Sequence, residues 1–262
     1  MNILNGSRAF RHYRRAACVV LLLLGVLLSP LACAEELSGT EILERVEKLL
    51  WGKTIQGNYE MTIKTPRWQR TLTMRMWMDR PTRSFVRIVA PAKEAGIGSL
   101  RIGNEMWNYL PAVERTIKIP PSMMLQPWMG SDFTNDDLVK ESSIINDYTH
   151  KVREALLDGS AVLQIDAIPK PDAAVVWGRI VYWVRKNDLI PLKEEFYSER
   201  GELVRVLTFS EVRVIGGRSL PTRWEMRPVA KQGNMTTVLL KDAVFDQALN
   251  AEIFTQRNLQ KP

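Results

Sequence analysis

The sequence predicts a mainly β protein built around one strongly curved antiparallel sheet, a barrel or an open half-barrel. Three observations predict it. Apolar and polar residues alternate with period two along segment after segment from Tyr59 onward. In the second half, long segments of this kind follow one another, separated by Gly-, Asn- or Asp-containing turns. Only one strong helical pattern occurs, near the start. A composition of 45% apolar and 25% charged residues fits a folded globular chain and excludes global disorder and a polytopic membrane protein.

The N-terminal segment is expected to be removed. Arg8, Arg11, Arg14 and Arg15 precede an apolar stretch from Ala16 to Leu28, Pro30 breaks it, and Ala32-Cys33-Ala34 offers small residues at a cleavage site. This is the three-part form of a secretory signal peptide, cut after Ala34. The apolar run is short of the roughly 20 residues a spanning helix needs, which argues against an uncleaved anchor. A lipoprotein signal modified at Cys33 is a further alternative, weakened because Pro30 stands where an aliphatic residue is usual. Residues 1–34 carry four Arg and no acid, so the formal charge of +7 falls to +3 in residues 35–262. The basicity that would suggest nucleic acid is mostly a targeting signal, and no nucleic-acid partner is expected.

The remaining chain opens with a helix. Ser38 is followed three residues later by Glu41, a capping-box pattern. Ile42, Leu43, Val46, Leu49 and Leu50 then recur at helical spacing, and Gly52 closes the run. Strands follow: Tyr59, Met61 and Ile63 alternate, as do Leu72, Met74, Met76 and Met78. Phe85 to Val89 is a short strand, and Met106 to Leu110 and Arg115 to Ile119 flank a turn at Pro111–Glu114. From His150 a meander is expected: 152–157, 161–168, 175–185, 192–198, 202–214, 220–228 and 235–245, with turns at Asp158-Gly159, Asn187-Asp188, Gly201, Gly216-Gly217 and Gly233-Asn234. No repeat or low-complexity linker divides residues 35–262, so a single domain is expected.

Between the two runs of strands lies Pro120 to Leu138. Its first part is apolar and Met-rich, and Thr134 is placed to cap a short helix through Leu138. Such a loop suits adaptable contact with apolar ligands, or plugs the core beneath it. Asp132, Asp136 and Asp137 have the residue type for a hard cation but not the EF-hand spacing, so the cation signal is weak and helix capping is the favoured account of them.

Catalytic equipment is sparse. Cleavage removes Cys18, Cys33 and His12, leaving His150 as the one histidine. Cysteine nucleophiles and multi-histidine metal sites are thereby excluded, and no G-x-S-x-G elbow or Gly-rich phosphate loop occurs. No cofactor is expected. Ten Met and eight Trp remain, residues that supply adaptable or extensive apolar area. On the concave face of a curved sheet they would line a cavity for acyl chains.

Met76-Trp77-Met78-Asp79-Arg80-Pro81, the run Gly103 to Pro111 containing Met106-Trp107-Asn108-Tyr109-Leu110, Pro121-Ser122-Met123-Met124, and Trp128 to Leu138 containing Gly130-Ser131-Asp132-Phe133-Thr134-Asn135-Asp136-Asp137 together resemble the outer-membrane lipoprotein-sorting protein family, in its LolA-like branch of periplasmic proteins. The resemblance spans essentially all of residues 35–262. It implies an unclosed antiparallel β-barrel with helices covering a concave hydrophobic face, a cavity for lipid, and association with an inner-membrane RND-type exporter. It also implies an arginine that fastens a helical lid, which no motif places on a position of this chain.

The function expected is a non-enzymatic periplasmic carrier of lipid or lipoprotein acyl chains, with transient membrane contact. Met74, Met76, Met78, Trp107, Tyr109, Met123, Met124, Trp128, Met129 and Phe133 are the expected cavity or lid residues. Two alternatives stand beside it: a metal-assisted lipid hydrolase using Asp132, Asp136, Asp137 or His150, and an accessory subunit that binds a transporter without binding lipid.

Overall fold

The computed structural model describes residues 37–139 and 143–261. The expected signal peptide, its cleavage site and Cys33 lie outside the described residues. Helix α1 (Gly39–Trp51) leads into strands β1 (Thr54–Lys64), β2 (Gln69–Asp79), β3 (Arg83–Ala90), β4 (Gly98–Ile102), β5 (Glu105–Leu110) and β6 (Arg115–Lys118). Single 3-10 turns at Pro121–Met123 and Trp128–Gly130, then short helices α2 (Asn135–Val139) and α3 (Ser143–Asp147), lead to β7 (Tyr148–Leu157). The chain continues through β8 (Ser160–Pro169), β9 (Arg179–Arg185), β10 (Pro191–Tyr197), β11 (Leu203–Ile215), β12 (Arg218–Pro228) and β13 (Met235–Phe245), and ends in a 3-10 turn at Ala251–Phe254 and helix α4 (Gln256–Leu259).

All 13 strands form one antiparallel sheet in the order β6-β5-β4-β3-β2-β1-β13-β12-β11-β10-β9-β8-β7. Each half is a meander of sequential hairpins, and the first strand joins the last: Ile55 pairs with Phe245 and Lys64 with Met235. The sheet does not close, because β6 and β7 are its two edges. This is the unclosed antiparallel barrel expected. Both edges carry charged side chains, Arg115 and Lys118 on β6 and Lys151, Arg153 and Glu154 on β7, which discourages edge-to-edge pairing.

Turn chemistry sets the hairpins. Asp158 and Gly159 have φ of 49° and 79°, and Gly216 and Gly217 have 53° and 79°, so both two-residue turns use left-handed pairs that match the strand twist. At the β9–β10 turn the left-handed residue is Leu189, beyond the expected Asn187-Asp188. There Asp188 instead accepts hydrogen bonds from Arg185 Nε and from the Ile190 amide.

Two further differences have packing causes. Strand β4 has no period-two signature because four of its five residues are buried. Leu100 packs outward against Phe85, Phe254 and Leu259, so the C-terminal segment covers the convex face there. Arg87 fastens that segment by donating to the carbonyls of Asn258 at 2.8 Å and Leu259 at 3.0 Å. The expected strand at 175–185 begins only at Arg179. Val175 and Trp177 are partly buried against the core without belonging to the sheet, and a short apolar run reads alike in either setting.

The principal core fills the concave side. Helix α1 is capped as expected: the Ser38 amide donates to Glu41 Oε2 at 2.9 Å, and the Glu41 amide donates to Ser38 Oγ. Ile42, Leu43, Val46 and Leu50 are buried in that core. Trp51 meets Trp224 of β12 edge-on, ring centroids 5.1 Å apart. Arg218 closes the helix end by donating to the Lys48 carbonyl at 2.5 Å. No helix among the described residues is long and apolar enough to cross a membrane.

Candidate functional site: a cavity under the crossing segment

Residues 119–139 leave the β6 edge of the sheet and cross over its concave face. Three hydrogen-bonded anchors mark the route. Trp128 Nε1 donates to Ser99 Oγ of β4 at 3.0 Å. The Asp132 amide and carboxylate both bond Thr236 Oγ1 of β13, at 2.9 and 2.7 Å. Arg205 of β11 donates through both terminal nitrogens to the Asp137 carboxylate, at 2.7 and 2.5 Å. Arg70 of β2 adds a bond to the Met129 carbonyl. Thr134 caps α2 as expected, with the Asp137 amide donating to its hydroxyl and Asp137 accepting from its amide in return.

Between this segment, α1 and the sheet lies a cavity of about 280 Å³. That is close to the lower end of small-molecule pockets, roughly 300–1,000 Å³. Met74, Met76 and Met78 of β2, with Met61, Leu207, Phe209 and Met226 from neighbouring strands, form its floor. Leu43, Val46 and Leu50 of α1 and Trp128, Phe133 and Leu138 of the crossing segment form its roof. The expected residues Met74, Met76, Met78, Trp128 and Phe133 are therefore brought together on one wall system.

The other five are placed elsewhere. Trp107 and Tyr109 do not line the cavity: strand parity sends Met106 inward, so its neighbours at Trp107 and Tyr109 turn outward to the cluster around Phe85 and Leu100. Met123 is 44% exposed. Met124 and Met129 pack against the principal core without reaching the cavity wall.

Several polar wall residues were not anticipated. Arg205 is 4% exposed, with its guanidinium 4.5 Å from the Trp177 ring centroid and 4.4 Å from that of Phe196. Glu47 of α1 is held by Arg80 at 2.5 Å. Burial pushes its carboxyl upward against the pull of Arg80. Glu194 of β10 stands opposite Tyr182 of β9 in register. Burial raises the Glu194 carboxyl to about 8, the Arg205 charge opposing, and burial also lifts the Tyr182 hydroxyl well above its ordinary value. The available signal was a charged residue on the apolar parity of a strand: Arg205 shares its face with Leu207 and Phe209, and Glu194 with Phe196.

The Asp132, Asp137 and His150 side chains are engaged in structural contacts. Asp132 bonds Thr236, and Asp137 pairs with Arg205. Among the described residues, no three His, Cys, Asp or Glu side chains form a group that could hold a metal ion. His150 Nε2 donates to the Ile144 carbonyl at 2.9 Å, and Nδ1 accepts from Thr40 Oγ1 at 2.9 Å. The ring thereby ties the start of α1 and α3 to β7. Burial holds its pKa below the usual histidine value.

A family model described only as an uncharacterized-protein-like family matches residues 80–261. No curated protein matches the sequence. Among solved structures, an outer-membrane lipoprotein-sorting protein domain from Vibrio parahaemolyticus is 23% identical, with a TM-score of 0.74 over 85% of this chain and 98% of that one. A DUF1329 family protein from Desulfovibrio piger is 22% identical, with a TM-score of 0.76 over 84% and 97%. A LolA superfamily protein from Nitrosomonas europaea is 22% identical, with a TM-score of 0.72 over 85% and 100%.

Proposed function

We infer a carrier function from the premise that this chain belongs to the family of uncharacterized proteins whose model matches residues 80–261 and has the fold of the outer-membrane lipoprotein-sorting and LolA superfamily structures. The protein is a periplasmic carrier that shields an acyl chain, of a lipid or a lipoprotein, and passes it towards the outer membrane. It reaches the periplasm through the signal peptide at 1–34 and receives cargo from an inner-membrane RND-type exporter.

One observation carries the reading: the cavity between the concave sheet face and a roof that is not part of the sheet. Its floor of Met side chains adapts to chains of differing shape. Each methylene moved from water into such a site contributes about 0.8 kcal/mol, so part of one acyl chain is enough for useful affinity. Binding needs no covalent chemistry. Release needs a partner that lifts the crossing segment from its anchors at Ser99, Thr236 and Arg205, or that offers the chain a better acceptor.

The test is uptake of a fluorescent fatty acid by the purified protein and by Met76→Asp. Met76 lies on the cavity floor and is only partly buried. A carboxylate there opposes an apolar chain, and uptake weakens by more than about tenfold while the urea midpoint stays within the folded range. Absence of uptake by the parent protein, or equal uptake by a folded Met76→Asp, contradicts the carrier reading.

A further inference from the structure

The cavity wall is not uniformly apolar. On β9 to β11 a polar patch interrupts it, built from Tyr182, Glu194 and Arg205 with Asp137 above. The charges in the patch are unequally matched. Arg205 is committed to Asp137 through two hydrogen bonds, and Glu47 is committed to Arg80. Glu194 has neither an ion pair nor a hydrogen bond among the described residues, although it lines the cavity. The same holds for the Tyr182 hydroxyl, on the neighbouring strand directly opposite. Tyr182 is 8% exposed and Glu194 is partly buried, so both polar groups open onto the cavity, where a polar group of the ligand can reach them.

The charge of the wall selects that partner. Of the carboxylates Glu47, Asp137 and Glu194 on the wall, Glu47 is matched by Arg80 and Asp137 by Arg205, which leaves Glu194 over. An anionic headgroup would meet this excess of carboxylates. A hydroxyl would complete the hydrogen bonds with Glu194 still protonated and would draw nothing from its charge. An ammonium group donates to the Glu194 carboxylate and to the Tyr182 hydroxyl oxygen and matches the charge as well. Burial disfavours the Glu194 charge in the empty site, and an adjacent cation is what would favour its ionised form.

Resting on the carrier reading, we propose that Glu194 and Tyr182 form a headgroup subsite, and that the preferred ligand is an amphiphile carrying a protonated amine beside its hydrocarbon chain. The apolar floor holds the chain, and the patch on β9 and β10 sets its orientation and selectivity.

The experiment is displacement of a fluorescent fatty-acid probe by dodecylamine, dodecanol and dodecanoate, each below its micellar concentration. These probes share one chain length and differ in headgroup charge. The parent protein is expected to favour dodecylamine over dodecanol by at least about tenfold, with dodecanoate weakest. Glu194→Gln reduces the amine-to-alcohol ratio by about tenfold, and Tyr182→Phe reduces it by less. Equal affinity for amine and alcohol in the parent overturns this inference and leaves the carrier reading standing. So does a folded Glu194→Gln variant with unchanged selectivity. Failure of all three compounds and of the probe to bind overturns the carrier reading itself. The selectivity of the parent decides the matter even where a variant does not fold.

Discussion

Replacing Asp137 by Asn tests what holds the crossing segment down. The carboxylate grips both terminal nitrogens of Arg205, whose side chain is 5% exposed and that of Asp137 20%. The guanidinium is packed against Trp177 and Phe196, so it has little water to turn to when its counter-charge goes. Removing one partner of a buried pair costs about 3–5 kcal/mol, because an uncompensated charge is left behind. Asn keeps the shape and one acceptor for the guanidinium, which places the loss near about 3 kcal/mol, the lower end of that range. With a urea slope near the upper end of about 1–3 kcal/mol/M, the midpoint falls by about 1 M. Equilibrium urea unfolding followed by tryptophan fluorescence measures this. The double variant Asp137→Asn/Arg205→Met recovers part of the loss by removing the stranded charge. A loss below about 1 kcal/mol for the single variant is what an exposed pair gives, and it would refute the claim that this contact anchors the segment.

Two other predictions concern stability. Glu194 binds its proton more tightly folded than unfolded, so its contribution is fully present below about pH 4.5 and is lost as pH rises through about 8. Between those limits the parent loses up to about 1.4 kcal/mol per pH unit from this group, and Glu194→Gln flattens that part of the profile in urea unfolding at a series of pH values. An unchanged pH profile would show that the carboxyl is not buried as described. Phe254→Ala empties the convex cluster beside Phe85 and Leu100, costs about 3–5 kcal/mol, and exposes the C-terminal segment to proteolysis; resistance equal to the parent's would show that the clasp is dispensable.

What could be read from the chain alone follows the physics of each signal. A half-buried strand advertises itself by alternation, and β1, β2 and β5 did so. β4 did not, because the C-terminal segment covers its outer face and the alternation disappears. The capping pair Ser38 and Glu41 located α1, since the cap is a local interaction written in adjacent residues. The Met residues of β2 fell on the cavity because all three share one strand parity. Trp107 and Tyr109 fell on the opposite face because an aromatic strand segment gives parity but not the side on which the cavity lies. Arg205 went unnoticed since its partner is distant in sequence, Asp137 lying 68 residues away, and Glu194 went unnoticed since a single charged residue on a strand does not show which face is covered. The motifs that carry the resemblance could not supply a pairing that only the crossing segment creates.

The central claim is that the concave cavity carries an amphiphile. Native mass spectrometry of the protein as cells produce it, purified gently and followed by lipid extraction, tests it most directly. The account predicts a discrete mass increment that extraction removes and identifies as an acyl-chain compound. A protein that is reproducibly empty, and that also takes up no fluorescent fatty acid, would contradict it.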